Sequence, residues 1–322
     1  MRVLLAVDSI TTLEIVLDEM KSRSWPIGTE AHVLSIVEDA EVPLETWREA
    51  GYGVGGVRRE MERRGEQIWA WAIDSLGAIG IAAKVTVMRG NPTFLIPFAA
   101  REWSVDLILI RAHNRTDFRN WLLGSVAKSV VECAPCSVEV VRTQPYSIGS
   151  DRGLRVVLAT DGSDVSLAAS QAIAATTWPA HTEVKVVSVI NPVIYSLEEM
   201  GLSRERGTSR AHRAIGDAFQ ALKVVPLTIS GEVIAGTSAR QIIAAAKRWQ
   251  ADLIVVGSNE RRGLKRFLIG SISADVAKEA HCSVRVIRGS SASRSDKDLA
   301  EQSKRAAHEG DSCEIGERRK AA

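Results

Sequence analysis

A glycine-serine pair that can open a helix and an aspartate that follows an apolar run are the residues of this chain best placed to bind a ligand. Gly270-Ser271 would offer free backbone N–H groups and a hydroxyl to an anion, although such a pair also begins helices that bind nothing. Asp161 follows an apolar run, and ligands of open α/β sheets lie beyond the carboxyl ends of the strands. The alternative for Asp161 is a helix N-cap, because Ser163 and Asp164 follow it. Neither feature is specific alone.

Both features occur twice, because the chain repeats itself. Residues 106–142 align without a gap with residues 252–288, which places Gly124-Ser125 opposite Gly270-Ser271, and Asp8 aligns with Asp161 in the matching first halves. A chain of 322 residues fits two domains of roughly 150 residues each, and the period is too long for a solenoid repeat. We therefore predict domains at residues 1–143 and 154–288, a linker at 144–153 and a tail at 289–322.

The elements that must position these residues are short strands alternating with helices. Such alternation predicts a parallel, doubly wound sheet with helices on both faces, so each copy is expected to be a flavodoxin-like α/β domain with a five-stranded sheet. The predicted strands are residues 2–7, 32–37, 84–88, 107–110 and 137–141 in the first copy, and 154–159, 183–189, 227–233, 253–256 and 283–287 in the second.

The last strand of each copy is predicted to be an edge strand. Val138-Glu139-Val140 and Val284-Arg285-Val286 alternate apolar and charged residues, as a strand with one solvated face does. Pairing of these two edges would join the copies into an intramolecular dimer. The tail after Arg288 has few large apolar groups and is predicted to be disordered.

The composition argues against several classes of protein. The net charge is +2, which gives no general attraction to nucleic acid or to a membrane, and we expect neither as a partner. No apolar run has the length of a signal-peptide core or a membrane span, so we expect a cytoplasmic protein. The four cysteines form no secreted disulfide framework, and the cysteine and histidine spacings match neither a zinc site nor a catalytic triad. We therefore predict no metal ligand and no catalytic residue.

The features of the second copy, taken together, resemble the nucleotide site of the universal stress protein family. That family carries the pattern Gly-x2-Gly-x9-Gly-Ser/Thr after its fourth strand, and this chain keeps the spacing as Gly257-x2-Glu260-x9-Gly270-Ser271. The resemblance covers both copies, up to about Arg288. It implies adenine nucleotide alpha hydrolase-like domains that pair through their last strand, often bind ATP with Mg²⁺, and act in stress adaptation.

The resemblance also implies which residues of the second copy contact the nucleotide. All of them follow predicted strands or open the helix after the fourth strand. They are Ala159 and Thr160 in the adenine pocket, Asp161 at the nucleoside, the main chain of Val189 at the adenine, Gly257 at the ribose and phosphates, and Gly270-Ser271 at the phosphates.

Glu260 departs from the family pattern, because it stands where the family has its second glycine. A residue other than glycine costs roughly 1 kcal/mol or more in a positive-φ conformation. A carboxylate at about 5 Å from a phosphate adds on the order of 3 kcal/mol of repulsion per unit charge before screening. Glu260 could turn toward solvent or share a divalent cation with the phosphates, and the neighbouring Arg261, Arg262, Lys265 and Arg266 could offset its charge. We therefore expect weakened binding in the second copy.

The first copy departs further. Arg111 stands where Gly257 does and Asn114 stands where Glu260 does, so both loop glycines are replaced. The fourth strand of this fold neighbours the first, which ends at Asp8. Our hypothesis is that Arg111 pairs with Asp8 and fills the cleft, so that the first site is plugged.

These observations favour a stress-response regulatory protein with one residual adenine-nucleotide (ATP) site in the second domain. The alternative is a scaffold or partner-binding stress protein that binds no nucleotide. A weak ATPase comes third, because Asp161 is the single candidate for a catalytic group, and we therefore expect no enzyme. Further homodimerisation and the identity of a protein partner stay open.

Overall fold

The computed structural model describes residues 1–38, 54–112, 123–142, 153–200, 207–258, 269–289 and 312–315. In the first domain, strands and helices alternate as predicted. The strands are β1 (Arg2–Val7), β2 (Glu30–Val37), β3 (Ala82–Arg89), β4 (Leu107–Arg111) and β5 (Ser137–Val141), and the helices are α1 (Ile10–Lys21), α2 (Val54–Gly77), α3 (Pro92–Glu102) and α4 (Ser125–Cys133).

Among the described residues, the second domain repeats this order with one additional helix between its second and third strands. None of the described helices in either domain is both long and apolar enough to cross a bilayer. The strands are β6 (Arg155–Ala159), β7 (Glu183–Ile190), β8 (Thr228–Ala235), β9 (Leu253–Ser258) and β10 (Ser283–Arg288), and the helices are α5 (Asp164–Ala174), α6 (Pro192–Glu199), α7 (Gly207–Leu222), α8 (Ser238–Arg248) and α9 (Ser271–Glu279).

The strands of both domains form one sheet in the order β11-β3-β2-β1-β4-β5-β10-β9-β6-β7-β8. Neighbouring strands within each domain are parallel, whereas β5 and β10 pair in antiparallel fashion and join the domains. The predicted flavodoxin-like class and the pairing of the copies through their last strands are thus confirmed. Strand β11 (Ser312–Ile315) lies in the tail, where no strand was predicted, and pairs antiparallel with β3.

The two faces of the sheet are covered differently. One apolar core continues across both domains beneath α3, α4, α8 and α9. The opposite face has two separate cores, one beneath α1 and α2 and the other beneath α5 and α7. Strand β4 contributes Ile108 to the continuous core and Leu107 and Leu109 to the opposite face, which explains its uninterrupted apolar sequence.

The prediction that the charged residues of β5 and β10 face water is wrong. Glu139 is 0% exposed and Arg285 is 5% exposed, and they lie directly opposite each other in the antiparallel register. The valines on either side of each charged residue belong to the continuous core of the other face. The alternating sequence therefore marks a strand with one apolar buried face and one ionic buried face.

Glu139 is buried between two guanidinium groups. Arg285 Nε lies 2.6 Å from one carboxylate oxygen, and Arg23, which follows α1, donates to the other oxygen. Burial raises the pKa of Glu139, but Arg23 and Arg285 outweigh it and lower the pKa to about 2, so this carboxylate is ionised.

Arg23 also donates to Glu19 at 2.8 Å. Burial raises the pKa of Glu19 to about 7, against the attraction of Arg23.

Two more buried arginines each reach into the opposite domain. Arg142, just after β5, donates to the carbonyl oxygen of Ala277 in the last turn of α9. Arg288, at the end of β10, donates to the carbonyl oxygens of Val131 and Glu132 in the last turn of α4, at 2.8 and 3.0 Å. An α-helix leaves its last carbonyl groups without internal partners. Each domain therefore caps a helix of the other.

We expect Arg142→Met to destabilise the protein by about 2 kcal/mol, because it removes a buried, charged hydrogen-bond donor and leaves the α9 carbonyl groups unsatisfied. Urea unfolding measures the change. The matched control is Arg248→Met, which removes a 58% exposed arginine with a surface ion pair to Glu232 and is expected to cost less than about 1 kcal/mol. Equal losses in the two variants would contradict the capping role of Arg142.

The raised pKa of Glu19 predicts a pH dependence of stability. The folded state holds the proton up to about pH 7, whereas an ordinary glutamate releases it near 4.5, so stability is lost as the pH rises through this window. Glu19→Gln keeps an acceptor for Arg23 and removes the titration. We therefore expect the melting temperature of Glu19→Gln to fall less than that of wild type between pH 5 and pH 8. Parallel pH profiles for the two proteins would contradict this assignment.

Candidate functional site

The carboxyl ends of β6, β7 and β9 bring most of the predicted site residues to one edge of the sheet. Strand β6 lies between β7 and β9, so Ala159 at its end is flanked by both neighbours. Thr160 and Asp161 follow directly, while Val189 and Gly257 lie near the ends of the flanking strands. This is the position at which doubly wound sheets bind ligands.

Helix α9 begins at the same edge. Gly270 is its N-cap, and its backbone N–H donates to the hydroxyl of Ser258 at 3.2 Å, which fastens the start of the helix to the end of β9. Ser271, the first residue of the helix, is exposed. No side-chain cap accepts a hydrogen bond from the first turn of α9, so the N–H groups of this turn are suited to bind an anion at the edge.

Asp161 is not the helix N-cap that the sequence allowed. The N-cap of α5 is Ser163, whose hydroxyl accepts from Ser166 N at 3.3 Å, and Asp161 instead accepts from the backbone N–H of Ser163 at 3.0 Å. Burial raises the pKa of Asp161, but hydrogen bonds from Ser163 and Ser166 outweigh it, so the pKa lies below its ordinary value. Asp161 is therefore an ionised acceptor at the exposed edge.

Thr160 and Gly257 hold the first turn of α5 against the sheet. The hydroxyl of Thr160 lies 3.1 Å from that of Ser166, and its backbone N–H donates to Val187 at 2.9 Å. A Cβ at Gly257 would lie 2.7 Å from the carbonyl oxygen of Val165, so any side chain there would displace the helix. Gly257 thus has a packing role that is independent of any ligand.

Glu260 lies outside the described residues, together with Arg261 and Arg262. The weaker phosphate binding expected from Glu260 therefore stays a prediction from the sequence. The described part of the second site consists of the strand ends, the turn at Asp161 and the start of α9.

The corresponding edge of the first domain contains a cavity of about 460 Å³. Asp8, Arg111 and the Gly124-Ser125 start of α4 line its polar end, and Ile36 and Ile96 are among the residues of its apolar wall. Like its counterpart in the second domain, Asp8 precedes the helix N-cap, which is Ser9. The two domains therefore retain the same arrangement of strand ends and helix start.

The hypothesis that Arg111 pairs with Asp8 and plugs this cleft is wrong. Among the described residues, the ion pairs do not include one between these two side chains, and both line the cavity. The Asp8 carboxylate accepts hydrogen bonds from the hydroxyls of Ser9 and Thr12, at 3.0 and 2.5 Å. Arg111 is only partly buried. The described residues of the first cleft thus leave a cavity there, with Arg111 at its polar end.

Sequence reasoning missed several residues at these two edges. Ser258 directly follows Gly257, and its hydroxyl accepts from the N–H of Gly270, whereas the first domain has Ala112 at the equivalent position. Thr12 and Glu38 line the first cavity. Alignment of the two copies could have identified Ser258, because this serine beside Gly257 stands where the first copy has Ala112.

Comparisons with known proteins agree with this arrangement. The model of the universal stress protein family matches residues 1–142 and 154–288. Universal stress protein MJ0531 of Methanocaldococcus jannaschii is 32% identical over 142 residues, which cover 42% of this chain and 81% of that protein. Universal stress protein Rv2005c of Mycobacterium tuberculosis is 28% identical over 274 residues, which cover 80% of this chain and 88% of that protein.

A solved structure of similar overall fold is a universal stress protein from Archaeoglobus fulgidus. Its TM-score is 0.63 at 19% identity, and the alignment covers 89% of this chain and 98% of that one. Both the repeated family match and the shared fold extend over the two domains described above. This chain therefore belongs to the universal stress protein family and contains two copies of its domain.

Proposed function

We propose that this chain is a cytoplasmic stress-response regulatory protein with one adenine-nucleotide site, for ATP with Mg²⁺, in its second domain. The observation that supports it best is the meeting of Asp161, Gly257 and the start of α9 at a single sheet edge. The division into domains at 1–143 and 154–288, with a linker at 144–153 and a tail at 289–322, is part of the proposal.

Each part of the nucleotide would meet a suitable group at this edge. Asp161 would accept hydrogen bonds from the nucleoside, and Ala159, Thr160 and the main chain of Val189 would surround the adenine. The first-turn N–H groups of α9 and the hydroxyl of Ser271 would bind the phosphates, since helix N-termini favour anions. Mg²⁺ would reduce the repulsion between the phosphates and Glu260. The proposed role is binding and not catalysis.

Calorimetric titration with ATP and Mg²⁺ tests this site. We expect wild type to bind one ATP per chain, and Glu260→Gly to bind at least about tenfold more tightly, because the variant removes a like charge near the phosphates and restores a flexible backbone. Asp161→Ala should abolish or strongly weaken this binding.

The matched control is Asp18→Ala, which makes the same change at a 57% exposed position of α1 outside both candidate sites and should leave ATP binding as in wild type. Absence of heat in both wild type and Glu260→Gly would contradict the proposal and would favour the scaffold. Nucleotide turnover that is lost in Asp161→Ala would instead support the ATPase.

We propose a second candidate on the basis of the open cavity in the first domain, namely a site for a small molecule with one anionic group. A volume of about 460 Å³ suits a small ligand, and ligand sites commonly combine apolar walls with a few convergent polar groups. Arg111 and the start of α4 would bind the anion, while Asp8 and Glu38 would favour a ligand that also carries hydroxyl or amino donors.

Titration with AMP in the Asp161→Ala background tests this second candidate without interference from the second domain. We expect AMP binding to persist there and to weaken at least about tenfold when Arg111→Ala is added, because a charged hydrogen bond is lost. Arg101→Ala, which removes a different arginine of the first domain, is the control. Equal AMP affinity with and without Arg111 would contradict this candidate.

A further inference from the structure

A pseudo-twofold axis at the junction between the domains relates equivalent residues of the two copies. Glu139 and Arg285 occupy equivalent positions in the two copies and lie opposite each other in the sheet. Ser24 and Thr177, which are also equivalent, meet in a second contact, where Ser24 N donates to Thr177 O at 3.2 Å. If two identical domains were to pair in this way, each residue on the axis would face its own copy.

A pair of second domains would bury two arginines against each other. The carboxylate that pairs with Arg285 is Glu139, at 2.6 Å, and Glu139 belongs to the first domain together with Arg23 and Glu19 beside it. In the second domain, the position equivalent to Glu19 is Ala172 and the one equivalent to Arg23 is Thr176. Paired second domains would therefore lack a carboxylate at the axis, and an unpaired charge in such a buried position is strongly disfavoured.

A pair of first domains would bury two carboxylates against each other. Each Glu139 would keep its own Arg23, but the second guanidinium group, from Arg285, would be absent. Like charges directly opposite each other on neighbouring strands are destabilising, and burial strengthens the repulsion. Only the pairing of a first with a second domain leaves Glu139 between two cations.

We infer that Glu139 and Arg285 form a specificity pair that lets the β5 edge accept a β10 edge and reject a copy of itself. The partner that fits the β5 edge is a universal stress protein-type edge strand with a cation at the central position. The edge of β10 requires an anion there. Through β5 and β10, a first domain therefore pairs with a second domain and not with another copy of itself.

The apolar residues around the pair explain why its main effect is on specificity. The valines of β5 and β10 and the contact between α4 and α9 already supply adhesion on the other face of the sheet. A buried ion pair often contributes little net stability compared with apolar residues of similar size, whereas a single unmatched charge is costly. Charge at the axis therefore discriminates between partners more than it strengthens the correct one.

Two full-length variants test the inference. Arg285→Glu gives an acidic chain with glutamate at both axis positions, and Glu139→Arg gives a basic chain with arginine at both. Neither chain can form the native junction internally. The first domain of the acidic chain and the second domain of the basic chain together restore the native cluster of Glu19, Arg23, Glu139 and Arg285. The variants are co-expressed with different affinity tags, in every combination, and capture of one tag by the other is measured.

We expect the acidic chain to capture the basic chain at least about tenfold more than either variant captures its own kind, because like charges in a buried position cost more than the 1.4 kcal/mol that corresponds to a factor of ten. Glu232→Arg reverses a 38% exposed charge on β8, and Arg285→Lys keeps the charge at the axis. Both controls should capture their own kind no more than wild type does.

Capture of like variants as strong as capture between unlike variants would overturn the inference. If each variant is insoluble alone, co-expression should recover a soluble 1:1 complex, and failure to recover it would equally overturn the inference. Neither readout involves a nucleotide, so the outcome is independent of the proposed site.

Discussion

The buried carboxylate of Glu139 is the constraint on which the arrangement of the two domains depends. An ionised group without solvent must be matched by charge and hydrogen bonds, and Arg23 and Arg285 supply both from opposite sides of the junction. Because one arginine belongs to each domain, the requirement is met only when β5 and β10 lie in register. The register in turn aligns Arg142 and Arg288 with the helix ends that they cap.

The two candidate sites differ although they lie at equivalent strand ends of a repeated fold. Two glycines of the second domain account for much of the difference. In the second domain, Gly162 adopts a φ of +78° and Gly257 lets α5 approach β9 closely. In the first domain, the turn before α1 is one residue shorter and Arg111 replaces the second of these glycines. The first edge consequently has an open cavity with a cation at its end, whereas the second has a closely packed turn with an exposed carboxylate.

Sequence reasoning anticipated the strands of both domains, the pairing of the two last strands and the edge at which the site residues meet, because strand periodicity and the internal repeat constrain all three. It misjudged Glu139, since an alternation of apolar and charged residues is the same whether the charged face meets water or a complementary charge of another domain. It also misjudged Arg111, because a long side chain beside an aspartate can adopt several directions and the sequence does not specify which. The helix caps at Arg142 and Arg288 depend on the register between domains, which neither copy encodes alone.

The antiparallel junction also determines how the two candidate sites relate to each other. Since β5 and β10 run in opposite directions, the carboxyl ends of the two parallel halves lie at opposite edges of the sheet, and the sites cannot share a ligand. Yet each site includes the start of a nine-residue helix, α4 or α9, that is about 13 Å long. The far end of each helix accepts hydrogen bonds from an arginine of the other domain. A ligand that shifts the start of either helix would thus act directly on the junction.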